Sequence, residues 1–249
     1  MPIPDPATLM APAPRLLATI TPSANTVVER VTQAMLRDVP EATSVFSRIP
    51  VHGAVDPFPD SYDWESMLRA AELLAHAAPG VILWNGSKGG AIGFDRDREL
   101  CARIMEHTGI AAETSALVLE RLLRAQGITR IAFVTPYAEA YQHRLISRFE
   151  AEGFNTVAES HLGLTDNLSY AFVPYATILH QARAVAAARP EVILAWCTNY
   201  PAAPVAAAVE EATGVAFWDA TALGVKGALD RLGTPGPGAA WGSLFAGVA

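Results

Sequence analysis

Pro79–Gly86 reads PGVILWNG and Arg189–Cys197 reads RPEVILAWC. Each sets Val-Ile-Leu behind a proline-containing turn and ahead of small or polar residues, with Val81 and Val192 lying 111 positions apart. A second pair keeps the same order. ATITPSANTVVE from Ala18 and AFVTPYAEAYQH from Ala132 each run an apolar segment into Thr-Pro, 114 positions apart. The helical stretch after each Val-Ile-Leu run ends in Thr-Gly, at Thr108-Gly109 and Thr213-Gly214. Strands of unrelated α/β proteins resemble one another, but two matches in one order at nearly one offset point to duplication.

Around these runs the pattern alternates. Strands are predicted at Leu16–Ile20, Val81–Trp84, Arg130–Thr135, Asn155–Glu159 and Val192–Trp196. Helices are predicted at Asn25–Arg37, Trp64–Ala77, Asp95–Thr108, Glu113–Gln126, Ala138–Glu152, Tyr175–Ala188, Ala202–Thr213 and Thr221–Leu232, many of them ended by Gly or Pro. Short buried strands alternating with helices give an α/β fold with parallel sheets. The expected architecture is two similar α/β halves, 15–127 and 128–233, related by a pseudo-twofold, with 221–233 a candidate to pack on the first half. Proline-rich residues 1–14 read as a loose tail, and 234–249 as a second tail in which Trp241, Leu244 and Phe245 are the residues able to dock. Ligands bind at carboxyl ends of parallel strands and between similar lobes, so the site is expected in the cleft. The offsets make Gly86 and Cys197 equivalent positions on its opposite walls, and Pro22 and Pro136 likewise.

Composition narrows the partners. Of 249 residues, 51% are hydrophobic and 17% charged, which excludes a disordered chain. The net charge of −7, without a basic stripe, argues against nucleic acid. No apolar run is long enough to span a bilayer and no secretory pattern opens the chain, so no membrane partner and a cytoplasmic location are expected. The two cysteines, Cys101 and Cys197, fit neither a disulfide framework nor a CxxC site and read as free thiols. The six histidines show no ligand spacing, so no metal is expected. No GxGxxG follows the first strand and GSKGG at 86–90 lacks P-loop spacing, so no cofactor is expected either.

Four strand ends converge on the cleft: Thr21–Asn25, Asn85–Lys88, Thr135–Tyr137 and Cys197–Asn199. Small residues there let backbone N–H groups approach a ligand, and the helix N-termini that follow favour an anion. The same turn is expected to lower the Cys197 pKa toward the reactive range. Cys101, inside a predicted helix beside Leu100 and Ile104, reads as packing. Asn25 is either a helix N-cap or a carboxylate ligand, Tyr137 either a packed aromatic or a donor, and Asn167 either a turn former or a donor.

TPSANTVVE, the Asn85–Lys88 turn, TPYAEAYQHRL, GLTDN (Gly163–Asn167) and WCTNYPA together resemble the aspartate/glutamate racemase superfamily. Within it they are most similar to the maleate cis-trans isomerase and arylmalonate decarboxylase branches, from about Leu16 to Gly233. The resemblance implies two cysteines facing each other across the substrate. The second matches Cys197; the first falls on Gly86, as in arylmalonate decarboxylases, where a small hydroxyl residue, here Ser87, follows. Asn25, Tyr137 and Asn167 resemble the residues with which maleate isomerases hold a carboxylate. Lys88 departs from both patterns, since a second hydroxyl is common there; it either reaches a substrate anion or points into solvent.

The resemblance implies a cofactor-independent lyase in which Cys197 is the proton donor. Pro22, Asn25, Gly86, Ser87, Lys88, Tyr137, Asn167 and Thr198 are then expected to line the substrate site. A racemase or maleate isomerase needs a second thiol, which Gly86 removes; decarboxylation of a small disubstituted malonate needs one acid. The alternatives are an isomerase or racemase of a small carboxylic acid, or a non-catalytic carboxylate-binding protein.

Overall fold

In the computed structural model, residues 15–51 and 57–246 are described; the expected tail at 1–14 lies outside them. The first half comprises β1 (Arg15–Pro22), α1 (Val28–Leu36), β2 (Ala42–Ile49), α2 (Trp64–Ala75), β3 (Val81–Trp84), α3 (Gly89–Ile92), α4 (Phe94–Thr108), β4 (Ala112–Thr114) and α5 (Ser115–Ala125). The second comprises β5 (Arg130–Tyr137), α6 (Glu139–Ala151), β6 (Asn155–Leu164), α7 (Asn167–Tyr170), α8 (Tyr175–Ala186), β7 (Val192–Ala195), α9 (Ala206–Thr213), β8 (Ala216–Asp219) and α10 (Ala220–Arg231). Two parallel four-stranded sheets result, β2-β1-β3-β4 and β6-β5-β7-β8, with the same order in each. No helix among the described residues is long and apolar enough to cross a membrane.

The register reproduces the sequence offsets. Leu17 pairs with Val81, and their counterparts Ile131 and Val192 also pair. Even the unusual backbone repeats: the only non-glycine residues with positive φ among those described are Ala78 (49°) and Arg189 (52°), again 111 positions apart. The two Thr-Gly pairs end their helices by one device. Thr108 Oγ1 donates to the Ile104 carbonyl and accepts from Ile110 N–H, and Thr213 does the same with Val209 and Val215. The following Gly109 and Gly214 take φ of 73° and 69° as left-handed caps. Because exposed Ala78 sits in that left-handed region, Ala78→Gly is expected to stabilise the fold by about 0.5–1 kcal/mol. An unchanged or lower melting temperature would contradict this.

The central strands β3 and β7 are wholly buried, as continuous Val-Ile-Leu runs require in a sheet covered on both faces. The halves meet along α5 and α10. Gly227 permits the close approach, since a Cβ there would lie 2.1 Å from Val118 Cγ2. Ala228 of α10 packs with Leu17, Val81 and Leu83 of the first sheet. Leu119 and Leu123 of α5 join the apolar cluster containing Phe133 and Leu194. Near the C-terminus, 239–241 and 243–245 form short 3₁₀ turns, and Leu244 and Phe245 are buried against the body rather than loose.

Three strands, β2, β4 and β8, were not expected. Each is an edge strand, and Glu113, expected in a helix, lies in β4.

Candidate active site

At the C-terminal ends of β1, β3, β5 and β7 a cavity of about 360 Å³ opens between the halves. Pro22, Gly86, Ser87, Lys88, Tyr137, Asn167, Cys197 and Thr198 all line it. Each half ties the other's turn in place. Trp196 of the second half donates from Nε1 to the Ser87 carbonyl (3.0 Å), while Asn85 of the first donates to the Thr221 carbonyl (3.2 Å). The strand-to-helix turns that carry the site are thus tied together across the two halves.

Asn25 does not line the cavity. Its Oδ1 accepts from the N–H groups of Val27 and Val28 (2.9 Å each), and its Nδ2 donates to Thr198 Oγ1 (3.2 Å). The oxygen is committed to starting α1 and one amide N–H to orienting Thr198, so the structure shows Asn25 in the N-cap and positioning role. Asn199, not singled out from the sequence, does similar work: its Oδ1 accepts from Thr26 N–H at 2.9 Å. Asn167 is different. It lines the cavity, and its side-chain Nδ2 is buried with no hydrogen-bond partner among the described residues.

Around Cys197 the polar groups form a chain. The Ser87 and Tyr137 hydroxyls are hydrogen-bonded at 2.8 Å, and Tyr137 in turn bonds the Cys197 thiol. Cys197 is only 3% exposed. Burial pushes its pKa up to about 12, against the lowering effect of Tyr137 and the N–H groups of Asn199 and Tyr200. The expected drop toward a reactive thiolate is thus reversed: the turn donors are present, but desolvation of the charged form outweighs them. Burial thus favours the Cys197 thiol at neutral pH, while Tyr137 and two backbone N–H groups are placed to favour the thiolate form. Cys101 is partly buried against the first-half core and does not line the cavity.

Several lining residues lay outside the sequence expectations. Tyr141 and Arg144 come from α6, one turn apart and on the face beside the Thr135–Tyr137 turn; that helical spacing was the available signal. Arg144 donates to the Ala91 carbonyl at 3.0 Å and pairs with Asp60, and Lys88 donates to the Phe58 carbonyl. Both cations therefore anchor residues 58–60 at the cavity rim, and Lys88 neither stands free in solvent nor points wholly inward.

Two buried carboxyls flank the site. Asp219 caps α10 through Oδ1 to Ala222 N–H (2.9 Å), and Asp97 accepts the Tyr62 hydroxyl at 2.9 Å. Burial raises each to about 7. A carboxyl whose folded pKa is raised favours the protonated form, so its stabilising contribution is complete below about pH 4 and is lost as pH rises through about 7. Asp97→Asn should therefore melt higher than wild type at pH 8, with the gap closing toward pH 4. A gap that does not change with pH would show that the two states share one Asp97 pKa.

A family model described as arylmalonate decarboxylase matches residues 59–245. Maleate isomerase of Nocardia farcinica is 28% identical over 230 residues, covering 89% of this chain and 91% of that protein. A cysteine-to-alanine variant of the maleate isomerase from Pseudomonas putida, solved with maleate, superposes with a TM-score of 0.79 at 21% identity, covering 94% of this chain and 98% of the other. A liganded arylmalonate decarboxylase with one glycine changed to cysteine and one cysteine to serine gives 0.82 at 22% identity, covering 94% and 99%. Two equivalent α/β halves, a cleft thiol and a match over three quarters of its length together mean that the chain belongs to the arylmalonate decarboxylase family, in the branch of the aspartate/glutamate racemase-like proteins that it shares with the maleate isomerases.

Proposed function

We propose that the protein is a cofactor-independent decarboxylase of small disubstituted malonates, with Cys197 as the proton donor. The observation that carries this reading is the asymmetry of the two walls: a single buried thiol on one, and Gly86 at the equivalent point of the other. The retained carboxylate accepts hydrogen bonds from Ser87, Tyr137 and Asn167, which strengthen as charge moves onto its oxygens. The departing carboxylate faces apolar lining such as Val51, Ala140 and Leu164, where an anion is poorly solvated. The C–C bond breaks, its electron pair stays on the α-carbon as an enediolate, and CO2 leaves. Cys197 then gives its proton to that carbon, and the thiolate, held by Tyr137 and two backbone N–H groups, is reprotonated from water.

The test is CO2 release from 2-methyl-2-phenylmalonate and a panel of related malonates, followed alongside the absorbance of maleate as it converts to fumarate. CO2 without fumarate supports the decarboxylase. Fumarate without CO2 supports the isomerase reading, which the similarity to the Nocardia farcinica enzyme favours. Tight malonate binding with neither product supports a carboxylate-binding protein. Tyr137→Phe should lower kcat by ten- to a hundredfold while KM changes by less than about threefold, because its bond matters most as the oxyanion develops. A change confined to KM would restrict Tyr137 to ground-state binding.

A further inference from the structure

Trp84 ends β3, two residues before Gly86 and on the same side of the strand. Its indole stands where a side chain at 86 would begin: a Cβ built on Gly86 would lie 2.1 Å from Trp84 Cζ2 and 2.3 Å from Cε2. The register pairs Ile20 with Trp84 and, in the other half, Val134 with Ala195, so Ala195 is the counterpart of Trp84 as Cys197 is of Gly86. Volume has been exchanged between the walls: indole then hydrogen on one, methyl then thiol on the other. The ring is only 2% exposed and Tyr62 meets it edge-on, with centroids 6.0 Å apart. Tyr62 is itself held by its hydrogen bond to Asp97. A second space of about 30 Å³, lined by Ile49, Tyr62 and Met67 among others, shares Trp84 with the main cavity along with Val51 and Lys88, so the indole forms part of the wall between the two.

We infer that Trp84 is the specificity-determining residue of this site: its ring closes the wall opposite Cys197, limiting substituent size and shielding that face of the α-carbon. The inference rests on the malonate reading above. With the face covered, neither water nor a second donor reaches the enediolate there, and a prochiral malonate cannot turn over to present its other face to Cys197. One enantiomer results.

The test compares wild type with Trp84→Leu and Trp84→Ala, the leucine keeping apolar volume in case the alanine variant folds poorly. Binding of malonate, phenylmalonate and 2-naphthylmalonate is measured by calorimetry in a Cys197→Ala background, so that no turnover intervenes. The naphthyl-to-phenyl affinity ratio should rise about tenfold or more on loss of the indole, the scale on which a hydrophobic pocket discriminates size. With Cys197 present, the enantiomeric ratio of 2-phenylpropionate formed from 2-methyl-2-phenylmalonate should fall by a similar factor. Unchanged ratios in folded variants that still bind and decarboxylate would overturn the role of Trp84 and leave the decarboxylase reading intact. Failure of every malonate to bind would overturn both.

Discussion

Cys197→Ala loses at least about two orders of magnitude in decarboxylation rate, the usual scale of a general acid, while melting within a few degrees of wild type. The thiol is buried but small, and its neighbours Tyr137, Thr198 and Asn199 keep their other partners when it is removed. Cys197→Ser is expected to be nearly as slow, since a hydroxyl is a much weaker acid. The pH profile separates acid from nucleophile. With its pKa pushed up to about 12 by burial, Cys197 remains protonated throughout the neutral and mildly alkaline range. An acid in that state gives a rate with no alkaline limb from the thiol between pH 7 and 9, whereas a thiolate nucleophile gains about tenfold per pH unit there. Turnover of Cys197→Ala at the wild-type rate removes the mechanism; a rate that climbs steadily with pH turns it toward thiolate addition.

The parts of this fold legible in the sequence are those where one force dominates. β3 and β7 are buried on both faces, so their residues had to be apolar without interruption, and the repeated Val-Ile-Leu marks both. Edge strands obey no such rule. In β2, ATSVFSRI, polar residues interrupt the pattern because much of the strand is only half-buried, and β4 is three residues long. The short β8, AFWD, runs straight into α10, whose first turn Asp219 caps, so the segment reads as the approach to a helix.

The site divides in the same way. Strand ends are one-dimensional landmarks, and those of β1, β3, β5 and β7 did converge on one cavity. Depth is not such a landmark. The turn around Cys197 announces donors that lower a pKa, but how far the thiol is removed from water depends on elements distant in the chain, and that desolvation decides the sign. Asn25 shows the reverse case, where a short-range capping role was readable beside a helix start and is the one its side-chain oxygen plays. Trp84 looks like one more strand residue until its ring is placed against the α-carbon of Gly86.

That placement changes what a second cysteine would do. Equivalence of Gly86 and Cys197 suggests that Gly86→Cys creates a thiol facing Cys197, yet its Cβ would start 2.1 Å from the Trp84 ring. The single variant must push the indole into the cavity or away from Tyr62. It is expected to cost about 1–3 kcal/mol of stability, as overpacking does, and to lose tenfold or more in rate. Pairing Gly86→Cys with Trp84→Ala removes the obstruction. The enediolate then has a thiol on either side, so a prochiral malonate loses enantiomeric purity beyond the loss in Trp84→Ala alone, and an α-aryl acid can be racemised by one thiolate and one thiol. Adding Cys197→Ala to that pair leaves only the new donor, and the opposite enantiomer dominates. Chiral chromatography of the products and melting curves of the four proteins decide the matter. If Gly86→Cys alone melts and turns over like wild type, the ring is not fixed by Tyr62 as described. If the triple variant still gives the wild-type enantiomer, residue 86 does not face Cys197, and the twofold correspondence of the two walls fails at the point where the chemistry depends on it.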